Sequence, residues 1–309
     1  MTNLIGKSLG RYHILEQLGE GGMAIVYLAH DEKLDRKVAI KVIKSDKNSD
    51  KVYLGRFNRE AKTLAILNHP NIVHINDYGE KDGFIFLVME YIQGETLRKK
   101  MGKAMHYTAA AKLLAPIAHA LAYAHHNNII HRDLKPSNIL ISQDGKPMLA
   151  DFGIAKILEY EETLELTSTG MGIGTPAYMA PEQWNGETTV FTDQYALGVI
   201  LFEIITGQKL HSGKTPAELY KNVTQDQIRR PKSINASLPQ FVEDVILRAL
   251  SKHPNDRFHS MGEFASILES ISKGQKIRTS RKLRISPSVI TLIIGVLLFT
   301  LIFFRLSGI

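Results

Sequence analysis

The run HRDLKPSNILISQDGKPMLADFG, residues 131–153, concentrates groups that handle phosphates and metal ions. Asp144-Gly145 is a strong hairpin-turn signal between two apolar runs, Ile139–Ile141 and Pro147–Ala150. The ends of a hairpin lie side by side. Asn138, entering the first strand, and Asp151, leaving the second, are therefore expected together as two oxygen ligands suited to magnesium. Asp133 and Lys135 precede them on a loop stiffened by Pro136, adding a base and a cation.

Two further clusters lie upstream. LGEGGMAIVYLA sets Gly19, Gly21 and Gly22 between strand-like runs, where glycines let backbone N–H groups approach polyanionic phosphates. By itself such a segment is more often just a turn. In VAIKVI, period-two alternation puts Ala39 and Lys41 on one face and Val38, Ile40 and Val42 on the other. On the helix expected next, Glu60 shares a face with Phe57, Leu64 and Leu67. A carboxylate in an apolar stripe needs a partner, and Lys41 is the natural one.

The elements that must position these groups fall into two regions. Tyr12–Leu18, Ile25–His30, Lys37–Ile43, Ile72–Tyr78 and Phe84–Glu90 read as strands, with one helix near 51–67. Beyond Thr96 the period becomes helical, over Thr108–His126, Asp193–Thr206, Pro239–Leu250 and Ser260–Ser272. Tyr195 to Ile205 is apolar on nearly every helical face, the mark of a buried central helix. The expected class is α+β, with a small sheet-rich lobe and a larger helical one.

With 309 residues, 44% of them hydrophobic, the chain can bury two cores, and with no cysteine it can form neither disulfides nor zinc-thiolate sites. The formal charge of +7 resides in the tail: seven of the 38 Lys and Arg lie at or beyond Lys273, none of the 31 Asp and Glu do, and residues 1–272 are formally neutral. Residues 285–304 carry no charge and are flanked by Arg284 and Arg305. As a helix they would be about 30 Å long, matching the hydrocarbon thickness of a bilayer. The N-terminus lacks the apolar core of a signal peptide, so residue 1 is expected to begin the mature chain. A single-pass C-terminal anchor follows, with the six basic residues from Lys273 to Arg284 on the cytoplasmic side. A nucleic-acid-binding reading of the basic tail fails because its charges abut an apolar span.

These motifs together resemble the eukaryotic-like Ser/Thr protein kinases of bacteria, over roughly residues 11–270. The family's ordered set of Gly-loop, VAIK, HRDxxxxN, DFG and APE is matched by GEGGMAIV, Val38–Lys41, His131–Asn138, Asp151–Gly153 and Ala180–Glu182. The resemblance implies a bilobal kinase fold and ATP with Mg2+, or Mn2+ in its place. Lys41 would hold the α- and β-phosphates and pair with Glu60, Asp133 would accept or orient the substrate hydroxyl, Lys135 would steady the γ-phosphate, and Asn138 and Asp151 would bind metal. Leu18, Val26, Ala39, Met89 and Leu140 would sandwich adenine beneath the loop Gly19-Glu20-Gly21-Gly22, with the backbone of Glu90 and Ile92 on its edge. Each of these apolar residues also has a plain reading as core. One departure stands out, because Ala24 occupies the third glycine of the loop.

The resemblance also implies that Thr175, in GTPAYMAPEQ, contacts Asp133 and Lys135 and shapes a peptide groove, while LKPSN points to Ser/Thr acceptors. Glu182 would pair with Arg257, Asp193 would brace the catalytic loop, and Arg132 would hold a phosphate on Thr167 or Thr169 after autophosphorylation, which a dimer could carry out in trans. The rival reading is a membrane-bound pseudokinase scaffold, whose usual sign, loss of Lys41, Asp133 or Asp151, is absent. The expected organisation is a lead-in at 1–10, lobes at 11–92 and 93–272, a basic juxtamembrane segment at 273–284, a transmembrane helix at 285–304 and an external tail at 305–309.

Overall fold

The computed structural model describes residues 4–21, 24–43, 51–152, 176–213 and 215–275. All of them fall within one compact unit, Met1–Ile277. The alternating segments form strands β2 (Tyr12–Glu20), β3 (Ala24–Asp31), β4 (Arg36–Ile43), β5 (Ile75–Lys81) and β6 (Phe84–Glu90). With the short β1 (Ser8–Leu9) they build a sheet of order β1-β2-β3-β4-β6-β5, every neighbouring pair antiparallel. Val38, Ile40 and Val42 pack with Ile14, Tyr27 and Val88 into one apolar face. The opposite face is covered by α1 (Lys51–Ala65), which buries Phe57, Ala61 and Leu64.

The larger lobe is helical: α2 (Leu97–Lys100), α3 (Tyr107–His126), α4 (Val190–Thr206), α5 (Pro216–Thr224), α6 (Gln240–Ala249) and α7 (Met261–Ser272). Helix α4 is buried from Thr192 to Thr206. Thr189 caps it by accepting from the Phe191 amide at 3.3 Å, while the Thr192 hydroxyl accepts from the Thr189 amide at 3.1 Å. At Gly198 a Cβ would stand 2.8 Å from that of Ala249, so glycine is what lets α4 and α6 approach this closely. Helix α5 has no counterpart among the expected helices. It is short, nine residues, and buries only Leu219 and Val223.

The strand expected from Ile72 begins instead at Ile75. Residues 71–73 pair with the second, three-stranded sheet, formed by β7 (Gly94–Thr96), β8 (Ile139–Ser142) and β9 (Pro147–Leu149). The Leu149 amide donates to the Asn71 carbonyl at 2.8 Å and the Val73 amide to the Leu149 carbonyl at 2.9 Å. Alternation marks an extended segment but does not choose its partner, and here the partner is β9. This stitch fixes the hairpin β8–β9 against the small lobe. On its other side β7 lies so close to β8 that a Cβ at Gly94 would run into the Ile141 carbonyl.

The expected span at 285–304 lies outside the described residues. Among the described residues, no helix is long and apolar enough to cross a membrane.

Against α4 sits a buried histidine, His211, whose Nε2 accepts from the Tyr195 hydroxyl at 2.8 Å while the two rings stack. Burial lowers its pKa to about 4. Between about pH 6.5 and pH 4 the unfolded chain takes up a proton that the folded one refuses, so this site's share of stability is whole above about pH 6.5 and lost as pH falls toward 4. Replacing His211 by Gln should flatten the slope of unfolding free energy against pH in that window, measured by urea titration. An unchanged slope would show that His211 is not the titrating group.

Candidate active site

The loop between α3 and β8 is built around one buried carboxylate. Asp193, in the first turn of α4, accepts from the backbone amides of His131 at 2.9 Å and Arg132 at 3.1 Å, and from His125 Nε2 at 2.7 Å. Arg132 needs this hold, because its φ of 66° lies in the left-handed region that non-glycine residues rarely adopt. Its carbonyl accepts from the side chain of Gln183 at 3.1 Å, so the peptides on both sides of Arg132 are fastened. His131 is fully buried, packs its ring at a tilt against Phe152 and meets the Ala150 carbonyl with Nε2 at 3.0 Å. Burial keeps its pKa low against the opposing pull of Asp193, so the ring is neutral, donating from Nε2 and offering Nδ1 to the Asp133 amide at 3.3 Å.

From this base the functional side chains converge. Asp133 Oδ2 accepts from Lys135 Nζ at 2.6 Å and from Asn138 Nδ2 at 3.3 Å. Asn138 Nδ2 also donates to the Asp133 carbonyl at 2.8 Å, which turns the side-chain oxygen into the atom it could offer a metal. The Ala150 amide donates to the Asn138 carbonyl at 2.8 Å, and this hairpin bond brings Asp151 beside Asn138. Asp151 also has a left-handed backbone, with φ of 58°. An amide oxygen and a carboxylate are hard oxygen donors of the kind magnesium takes, and one or two protein ligands completed by phosphate oxygens is its usual arrangement. Among the described residues no cluster of three or more His, Asp or Glu competes for the metal.

Lys41 departs from its expected partner. Its Nζ donates to Asp151 Oδ1 at 2.8 Å, and among the described residues Glu60 makes no ion pair. Periodicity decides which face of α1 carries Glu60. It does not decide how far α1 stands from β4, and the nearer carboxylate takes the ammonium.

Above these groups the apolar residues Ala39, Val73, Met89 and Met148 form a separate small cluster, joined by the partly buried Val26, Ile92 and Leu140. Leu18 stands outside it, 43% exposed on β2. Gly19 and Glu20 end β2, paired with Val26 and Ile25 of β3, and Gly21 follows in the turn, its amide donating to the Ala24 carbonyl at 2.8 Å. Ala24 is buried in β3, so the residue replacing the third glycine serves as a strand position. The Glu90 amide is bound to the His74 carbonyl at 2.9 Å.

Below the loop, Arg257 meets Glu182 through Nη1 at 2.6 Å and Nη2 at 2.8 Å, both side chains buried. Its remaining donors go to the carbonyls of Ser251 and Phe191, each at 2.9 Å, and of Lys252 at 3.3 Å. With every donor occupied, the pair avoids the penalty of about 3–5 kcal/mol that a stranded buried charge carries. Tyr178, two residues before Ala180, donates to the buried Glu203 at 2.7 Å. Burial raises the pKa of both groups. The expected site residues Gly22, Thr167, Thr169 and Thr175 lie outside the described residues. Sequence reasoning missed three positioning residues: Gln183 and His125 carry no signal of their own, whereas Glu203, the one charge in the apolar run Tyr195–Ile205, called for a buried partner and finds it in Tyr178.

Residues 12–269 match the family model described as protein kinase domain. The chain is 39% identical over 282 residues to the serine/threonine-protein kinase PrkC of Bacillus subtilis, an alignment covering 90% of this chain and 43% of PrkC. It is 38% identical over 273 residues to the serine/threonine-protein kinase PknB of Mycolicibacterium smegmatis, covering 86% of this chain and 43% of that one. The chain thus spans less than half the length of these curated relatives. Among solved structures, the PknI kinase domain of Mycobacterium tuberculosis superposes with a TM-score of 0.69 at 27% identity, covering 87% of this chain and 99% of that one.

Proposed function

We propose, since the chain belongs to the protein kinase family, that it transfers the γ-phosphoryl group of ATP to Ser or Thr hydroxyls of proteins. The observation that carries this reading is the convergence of Asp133, Lys135, Asn138, Asp151 and Lys41 on one loop and hairpin. Asp133, its carboxylate oriented by Lys135 and Asn138, accepts or orients the proton of the attacking hydroxyl. Lys135 stands beside it to meet the γ-phosphate, and Lys41 turns from Asp151 to the α- and β-phosphates when ATP enters. Asn138 and Asp151 would hold Mg2+, which when bound would offset phosphate charge. The Val26, Ala39, Met89 and Leu140 cluster receives adenine, with Leu18 closing over it and the backbone at Glu90 and Ile92 on its edge. On this reading Glu60 approaches Lys41 only when α1 moves inward.

Two regulatory features belong to the same reading. Arg132 Nε is buried with no hydrogen-bond partner among the described residues, which suits a guanidinium reserved for an incoming phosphate. Phosphorylation of Thr167 or Thr169, in trans by a second copy, would supply it and align Asp133 through the backbone. We also propose, from the sequence alone, that residues 285–304 span a membrane, with the basic 273–284 segment and the kinase domain on the cytoplasmic side.

Three measurements test these assignments. Asp133→Asn should keep the fold yet lower phosphoryl transfer to a Ser/Thr peptide by about a hundredfold or more; wild-type turnover in the folded variant would favour the scaffold reading. Arg132→Ala, and Thr167→Ala with Thr169→Ala, should each lower activity, and combining them should add little. Fully additive losses would remove the switch. Protease added to intact cells should spare the kinase domain, whereas its digestion there would reverse the topology.

A further inference from the structure

Resting on the kinase reading above, we propose that α2 and the corner beside it dock acidic stretches of the protein substrate. Residues 94–106 carry Arg98, Lys99, Lys100 and Lys103 against a single acid, Glu95. The Met105 amide donates to the Ile204 carbonyl at 2.8 Å, and a Cβ on Gly207 would stand 2.8 Å from the Ala104 amide nitrogen. This packing brings Lys103 beside the segment that leads to Lys209. Arg229 joins the same corner, its guanidinium 6.0 Å from the Phe202 ring centroid and 3.5 Å from the Lys209 carbonyl.

These cations outnumber the carboxylates near them, Glu95 and Glu203, of which buried Glu203 feels both Arg98 and Lys209. Lys99, Lys103, Lys209 and Arg229 are exposed, and among the described residues none pairs with a carboxylate. Lys100 has only Glu95, at 3.8 Å. Because residues 1–272 are formally neutral, this concentration is a feature of the face and not of the whole domain. The face also adjoins the chemistry. Arg98 lies 3.9 Å from Glu203, Glu203 accepts from Tyr178, and Tyr178 lines one small cavity with Asp133 and Met179. Helix α2 packs on the turn Pro136–Asn138 that follows Lys135. In the proposal a peptide whose hydroxyl reaches Asp133 passes close to this surface, where the excess of positive charge favours flanking carboxylates.

The test uses the full chain and two peptides with the same acceptor, one flanked by Glu and the other by Gln. The wild type should favour the Glu peptide in kcat/KM by about tenfold at low salt, the scale of a few exposed charge pairs acting together, with the preference shrinking as salt rises. Lys99→Glu, Lys103→Glu and Lys209→Glu combined should abolish the preference and leave the rate on the Gln peptide unchanged. Equal rates of the wild type on both peptides would overturn the docking face while leaving the kinase reading intact, and phosphorylation of neither peptide would overturn both. If the triple change weakened binding to phosphatidylglycerol vesicles but kept the peptide preference, the face would belong to lipid and the proposal would fall.

Discussion

The site depends on the bonds made by one buried carboxylate. Asp193 spends Oδ1 on the Arg132 amide and Oδ2 on the His131 amide and His125. A left-handed arginine costs on the order of 1 kcal/mol or more, and it persists because the surroundings over-determine it. That backbone turn directs His131 inward, to the Ala150 carbonyl and Phe152, and Asp133 outward, to Lys135 and Asn138. Rigid α4, buried almost throughout, supplies the anchor. The loop therefore inherits the precision of the core.

A second left-handed residue, Asp151, terminates the β8–β9 hairpin. Neither strained position has a glycine's freedom, and both lie where a side chain must be aimed. Strain, burial and function coincide here because the hairpin is held from two sides: by β7 on one, and by the Asn71–Val73 stitch to the small lobe on the other. Groups on a hairpin fixed in this way, the proposed metal ligands among them, need little reorganisation to meet a ligand.

The Lys41–Asp151 pair shows how the two lobes meet electrostatically. The ammonium on β4 and the carboxylate beyond β9 neutralise one another at 2.8 Å, both only partly exposed. Each would otherwise carry a desolvation cost. In the proposed function ATP with its metal would offer each a replacement of the proper sign, so exchange of partners would strand neither charge.

Much of this was legible in the sequence. The hairpin signal at Asp144-Gly145 by itself put Asn138 and Asp151 together, and alternation around VAIK put Lys41 opposite the core face, because turn chemistry and strand period are local properties. The apolar run of α4 announced a central helix for the same reason. Only the tertiary structure decided the partners. It gave Lys41 to Asp151 in place of Glu60, gave residues 71–73 to β9, and recruited His125 and Gln183 to the catalytic loop. Periodicity fixes the direction in which a side chain points from its own element, but the distance to a group on another element is set by how whole layers pack, which no local pattern encodes.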